Sequence, residues 1–274
     1  MSEDLKRAIA ALGSPPQTGT RSVTSDLSID ESLLLHGAGF EPADLVTGTS
    51  VQSIPYGSFM IPYGQGGPVE IPYATQAVVE AFRQSAERLR HECARAGGSG
   101  IVGVEVEVEI ERQSAMVVFT GTAIRPIKPT QNVQGRPFVT DLSVRDFVLL
   151  RRAGWEPLDI AAGASFVGSP LRGLRQVVAQ TSQNVELTNL TQALQNAREE
   201  AVETMQREAI GASANGVVDV TIMDGPLGHS RHILAFICFG TAVRLTADTH
   251  QRIEPELVLP VDDDNLDFEA TSLR

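Results

Sequence analysis

Gly100-Ile-Val-Gly-Val-Glu-Val-Glu-Val-Glu-Ile-Glu111 decides the fold. From Val104 to Glu111, apolar and acidic residues alternate without a break. Successive side chains on a strand point to opposite faces, so this is a strand with one apolar face and one carboxylate face. One-sided burial of this kind belongs to an antiparallel sheet with water on one side. Val104, Val106, Val108 and Ile110 need a covering layer, and the residues just before them supply it. Across 75–96, Val78, Phe82, Ala86, Leu89, Cys93 and Ala96 recur every three or four positions and form one stripe of a helix. Arg83, Glu87, Arg88, Arg90, Glu92 and Arg95 mostly take the opposite side. Gly97-Gly-Ser-Gly100 ends that helix. A turn near Arg112-Gln-Ser returns the chain as a second hairpin strand over 116–124.

Upstream, Ser28 followed by Glu31 is a capping-box pattern that opens a short helix carrying Leu33, Leu34 and Leu35. Gly37, Gly39 and Pro42 close it. Residues 43–51 read as a first strand. A Pro/Gly-rich insert over 53–73 then repeats Ile-Pro-Tyr three times and carries Tyr56, Tyr63 and Tyr73, all the tyrosines of the chain. Proline cannot donate to a ladder, so the insert is a loop or an edge ribbon. Its aromatic rings are candidate walls for a small ligand held between subunits.

The second half replays the first. Thr140-Asp-Leu-Ser143 matches Ser25-Asp-Leu-Ser28, Ala153-Gly-Trp-Glu-Pro157 matches Ala38-Gly-Phe-Glu-Pro42, and Gly163 matches Gly48, all at one offset of 115. The long helix from about Leu190 and the strand from Gly216 match at 116, and Gly240-Thr-Ala-Val-Arg244 matches Gly121-Thr-Ala-Ile-Arg125 at 119. The growing offset marks insertions, the largest in a predicted hairpin turn over Asp224-Gly-Pro-Leu-Gly-His-Ser-Arg231. A repeat this long is a duplicated domain, not a solenoid. The expected organisation is a flexible leader (1–21), a first unit (22–125), a Pro-rich linker (126–137), a second unit (138–245) and an acidic tail (246–274). Each unit is a two-layer α+β element: short helix, strand, long helix, antiparallel hairpin. A sheet of about three strands is thin, and extending it with a neighbour is the usual remedy, so homo-oligomers are expected.

Composition narrows the function classes. The 274 residues carry a net charge of −12. Residues 247–274 hold eight acids against two arginines, half of that net charge. No basic stripe with interleaved aromatics exists, which argues against nucleic acid, and the acidic balance argues against anionic lipid. No run of about 18 apolar residues is present to span a bilayer. The N-terminus lacks the apolar core of a secretion signal. Two cysteines make no disulfide framework, and the expected compartment is cytoplasmic.

Reactive chemistry is sparse. Cys93 falls opposite Ala209 in the repeat, and Cys238 opposite Phe119, so each thiol takes an apolar seat. His36 and His91 fall opposite arginines and suit the surface. His229 and His232, three apart in the second hairpin turn, are the remaining metal candidates; they supply two ligands where zinc commonly takes four, so symmetry mates would have to complete a divalent-metal site. Glu105, Glu107 and Glu109 share a face but sit roughly 6.6–7 Å apart, too far to chelate one ion tightly, and the second copy does not keep them. They remain candidates for a ligand or an interface. No nucleophile elbow, phosphate loop or dinucleotide glycine motif occurs, so no enzyme and no cofactor are expected. In the tail, Leu257, Val258, Leu259 and Val261 among acids have the character either of a solvated tail or of a peptide that adds to a partner's sheet edge.

The second repeat resembles the YbjQ-like family, whose members often carry the label heavy-metal-binding domain. The resemblance lies in Asn184-Val-Glu-Leu-Thr-Asn-Leu-Thr-Gln-Ala193, Ala197-Arg-Glu-Glu-Ala201, Ile210-Gly-Ala-Ser-Ala-Asn-Gly-Val-Val-Asp-Val220 and Gly240-Thr-Ala-Val243. With its Asp-Leu-Ser and Ala-Gly-Trp-Glu-Pro leader it is similar to tandem two-domain members from actinobacteria. The resemblance implies a dodecin-like α+β unit assembling as a fivefold ring, with a pentamer or a multiple of it as the oligomer. It implies no activity.

Overall fold

The computed structural model describes residues 23–60, 68–111, 113–128, 135–168, 188–227 and 230–246. Helix α1 (Ile29–Gly37) is capped by Ser28, whose hydroxyl accepts from the Glu31 amide while the Glu31 carboxylate accepts from the Ser28 amide, the reciprocal pair that the spacing predicts. Strand β1 (Phe40–Ser53), the two-residue β2 (Val69–Glu70), helix α2 (Pro72–Arg95), and the hairpin β3 (Gly100–Ile110) and β4 (Ser114–Pro126) follow. The second half runs β5 (Phe138–Val139), α3 (Val144–Arg152), β6 (Trp155–Gly168), α4 (Thr188–Gly211), β7 (Gly216–Leu227) and β8 (Ser230–Leu245). The class is α+β.

Two antiparallel-based sheets form, in the orders β1-β4-β3-β5 and β2-β6-β8-β7. The repeat is visible in their irregularities. The register slips between Pro42 and Asp44 on β1 and between Pro157 and Asp159 on β6. It slips again between Val102 and Glu105 on β3 and between Val218 and Thr221 on β7. At those latter bulges Gly103 (φ 63°) and Asp219 (φ 54°) take the left-handed conformation. The alternation of β3 begins just past its bulge: Glu105, Glu107 and Glu109 face water while Val104 is buried.

Each long helix lies across the centre of its sheet at a glycine. A Cβ on Gly48 would stand 2.2 Å from the Ser85 carbonyl and 2.7 Å from the Leu89 amide; on Gly163 it would stand 1.9 Å from the Ala201 carbonyl and 2.8 Å from the Met205 amide. These contacts are equivalent under the repeat, so both helices dock backbone to backbone in one way. Cys93 and Cys238 are fully buried in the layers so formed. Burial pushes both thiols up to about 11, where they are un-ionised and inert.

Two expectations need correction. Residues 224–227 belong to β7 rather than to a hairpin turn; Gly225 is accommodated by a positive φ (151°) and Pro226 by a register slip at Pro226/Leu227. Arg90, assigned to the wet side of its helix, is buried (5% exposed), because α2 is covered on two sides.

Candidate assembly interface

The fourth strand of each sheet comes from the other half of the chain. β5 leads into the second half yet pairs in parallel with β3, Gly100 opposite Phe138 and Ile101 opposite Val139. The pairing continues through Thr140 N–H to Ile101 O (3.1 Å), Val104 N–H to Thr140 O (3.1 Å) and Gly103 N–H to Leu142 O (3.0 Å). Gly100 makes room for the Phe138 ring, which a Cβ would meet at 2.1 Å. In return β2, at the end of the first-half insert, pairs with β6, Val69 opposite Gly168. Ile71 N–H donates to Phe166 O (2.7 Å), and Phe166 N–H to Thr75 Oγ1 (3.2 Å). Each half therefore straps an exposed edge of the other.

Side chains seal the joint. Phe82 of α2 packs on Phe239 of β8 with centroids 5.5 Å apart. Leu35, Val102 and Ile124 share a small core with Leu142, Val144 and Phe147. The Arg90 guanidinium pairs with Asp159 across the joint, donates Nε–H to Pro137 O (3.1 Å) and reaches Glu87 (3.1 Å), which also takes Arg136. The end of the predicted linker is thereby pinned to α2.

A buried hydroxyl relay holds the strap onto its own sheet. Thr241 donates to the Asp141 carboxyl, and its oxygen accepts from the Asp141 amide (3.2 Å) and from the Thr140 hydroxyl (2.7 Å). Burial pushes the Asp141 carboxyl up to about 6, the Thr241 hydroxyl partly offsets this, and nearby Asp219 adds to the rise. An unfolded aspartate ionises near 3.8, so the native state holds this proton more tightly. The group is neutral for stability below about pH 3.8, and stability is lost as pH rises from there through about 6. Asp141→Asn keeps the acceptor and removes the charge. Its Tm is expected to match wild type at pH 4 and to exceed it at pH 8 by about 5 °C, from roughly 2–3 kcal/mol. Thermal melts at the two pH values check this; a difference that does not grow with pH contradicts it.

Tyr56 and Tyr73 are exposed, and Tyr63 lies outside the described residues. His229 also lies outside them, and His232 falls on β8. Leu257, Val258, Leu259 and Val261 lie outside the described residues as well. Among the described residues no group of three His, Cys, Asp or Glu side chains is placed to hold an ion. A cleft of about 190 Å³ beside Gly37, Val148 and Arg151 falls short of the volumes usual for small-ligand sites. No described helix is long and apolar enough to cross a membrane. The strap, which sequence reading missed, is the built site of this fold.

A YbjQ family model, described as "Putative heavy-metal-binding", matches residues 159–246. The chain belongs to the YbjQ-like family, in its tandem two-domain form. It is 35% identical over 248 residues to the Encapsulin nanocompartment protein Rv1762c of Mycobacterium tuberculosis, a match that covers 88% of this chain and 93% of that relative.

Proposed function

We propose that this protein is a non-enzymatic, self-assembling scaffold whose copies join head to tail into a closed ring. One observation carries the reading. The joint between the halves is heterologous, each half using a different surface, and among the described residues the same two surfaces carry no strap at the outer strands, β1 and β7. A heterologous contact propagates from copy to copy and gives a ring where the rotation closes. The name of the Mycobacterium tuberculosis relative, a nanocompartment protein, supports a structural role, and so does the burial of both thiols. Each chain brings two halves, so a closed ring of whole chains holds an even number of them. The fivefold symmetry implied by the family resemblance then means five chains and ten halves.

Size-exclusion chromatography with light scattering at micromolar concentration tests this. A single species at a whole multiple of the 29.4 kDa chain mass is expected. A species at the chain mass itself overturns the reading.

A further inference from the structure

We infer that residues 23–29 of one copy dock as a strap on the outer edge of β7 in a second copy, repeating between chains the joint already made between halves. This rests on the assembly reading above and names its contact.

The two sides are matched by the repeat. The donor 138–144 is buried in the internal joint, and its counterpart 23–29 is not. Val144 is fully buried where Ile29 is 74% exposed; Leu142 is buried where Leu27 is only partly buried; Phe138 covers Gly100 where Val23 stands at the surface. Yet 23–29 is already shaped for the task. Asp26 N–H donates to Thr122 Oγ1 (3.2 Å) as Asp141 N–H does to Thr241 Oγ1 (3.2 Å), and Ser28 caps α1 as Ser143 caps α3. The segment lies on its own sheet with its far side open.

The acceptor shows the complementary gap. β3 receives β5, while among the described residues β7 is the last strand of its sheet. Val104 is buried on β3; its counterpart Val220 is 43% exposed on β7, next to exposed Ile222 and Met223. Gly100 lies against Phe138, whereas nothing comes within 4 Å of a Cβ on Gly216. The bulge that lets Gly103 donate to Leu142 is kept on β7 at Asp219, with the same sign of φ. A long apolar edge strand with its backbone groups open is a template for another chain. The parallel register carries over as Gly216 opposite Val23 and Val217 opposite Thr24.

The other end agrees. β6 is covered by β2, and β1, its counterpart, has no second neighbour among the described residues; Phe166 is fully buried where Val51 is 60% exposed. The joint between chains is the more polar of the two, because Arg198 and Thr120 stand where Phe82 and Phe239 pack.

Co-expression of Thr24→Cys with Val217→Cys chains, followed by mild oxidation, tests the register. Both native thiols are buried and do not compete. A covalent pair of chains is expected from the co-expressed variants and from neither alone. In parallel, Ile29→Lys and Val220→Lys place charge at exposed positions, so each is expected to keep the melting temperature of the single chain while particle mass falls to that chain. Either a 24–217 link or that fall in mass supports the interface. A wild-type assembly that persists with no link and no response to either lysine overturns the interface and leaves self-assembly standing. A monomeric wild type overturns both.

Discussion

Gly163→Ala is expected to destabilise the protein by about 3 kcal/mol or more, the upper end of the usual cost of overfilling a packed core. The new methyl would stand 1.9 Å from the Ala201 carbonyl oxygen and 2.8 Å from the Met205 nitrogen. Both are helix backbone, so no side chain can turn aside. The whole of α4 must lift from β6, which opens the layer around Cys238 and Met205 and forfeits dispersion contacts along the helix. Gly48→Ala meets the Ser85 carbonyl at 2.2 Å and should cost nearly as much. Gly211→Ala is the control. It lies at the end of α4 with nothing within 4 Å and no unusual φ, so it should be neutral or stabilise by up to about 1 kcal/mol. Urea unfolding of the three variants checks the order. A Gly163→Ala protein as stable as Gly211→Ala contradicts the backbone-to-backbone docking.

Arg90→Met is expected to cost about 3 kcal/mol. Methionine keeps most of the hydrophobic stem and removes the guanidinium, so the loss reports the ionic and hydrogen-bonding role. Removing one member of a buried pair strands the other, at roughly 3–5 kcal/mol. Here the low end applies, because Asp159 is 22% exposed and keeps some water. The Pro137 carbonyl loses its partner as well, and Glu87 keeps only Arg136. Adding Asp159→Asn to Arg90→Met should recover part of the loss, since no unpaired charge remains at the joint. A double-mutant cycle by urea unfolding reads the coupling directly. Additive losses would mean that the pair does not bridge the halves.

Much of this architecture was legible in the chain. The strict alternation after Val104 specifies a half-buried strand because the side-chain period of a strand is two. The stripe from Val78 to Cys93 specifies a covering helix, and the capping box at Ser28 forms as spaced. Both thiols lie in the core, where the repeat set them opposite apolar residues. The strap was not legible, for a physical reason. β2 and β5 are two residues each, flanked by Pro68, Pro72 and Pro137. No periodicity exists over two residues, and their pairing is set by the half they reach, not by their own sequence. Arg90 was misplaced because helical spacing records one buried face, while α2 has a second face against β6 and β8. Gly48 and Gly163 were visible as a matched pair, but their role depends on how closely the helix approaches. The expectation that a thin sheet is extended by a neighbour was sound in principle, and the neighbour is the other half of the same chain.

Imaging of the intact particle tests the central claim most directly. If the joint between halves recurs between chains, end-on views show a closed ring of equally spaced lobes, two for every chain in its measured mass. An odd number of lobes, or a two-fold dimer that buries β7 against β7, contradicts it.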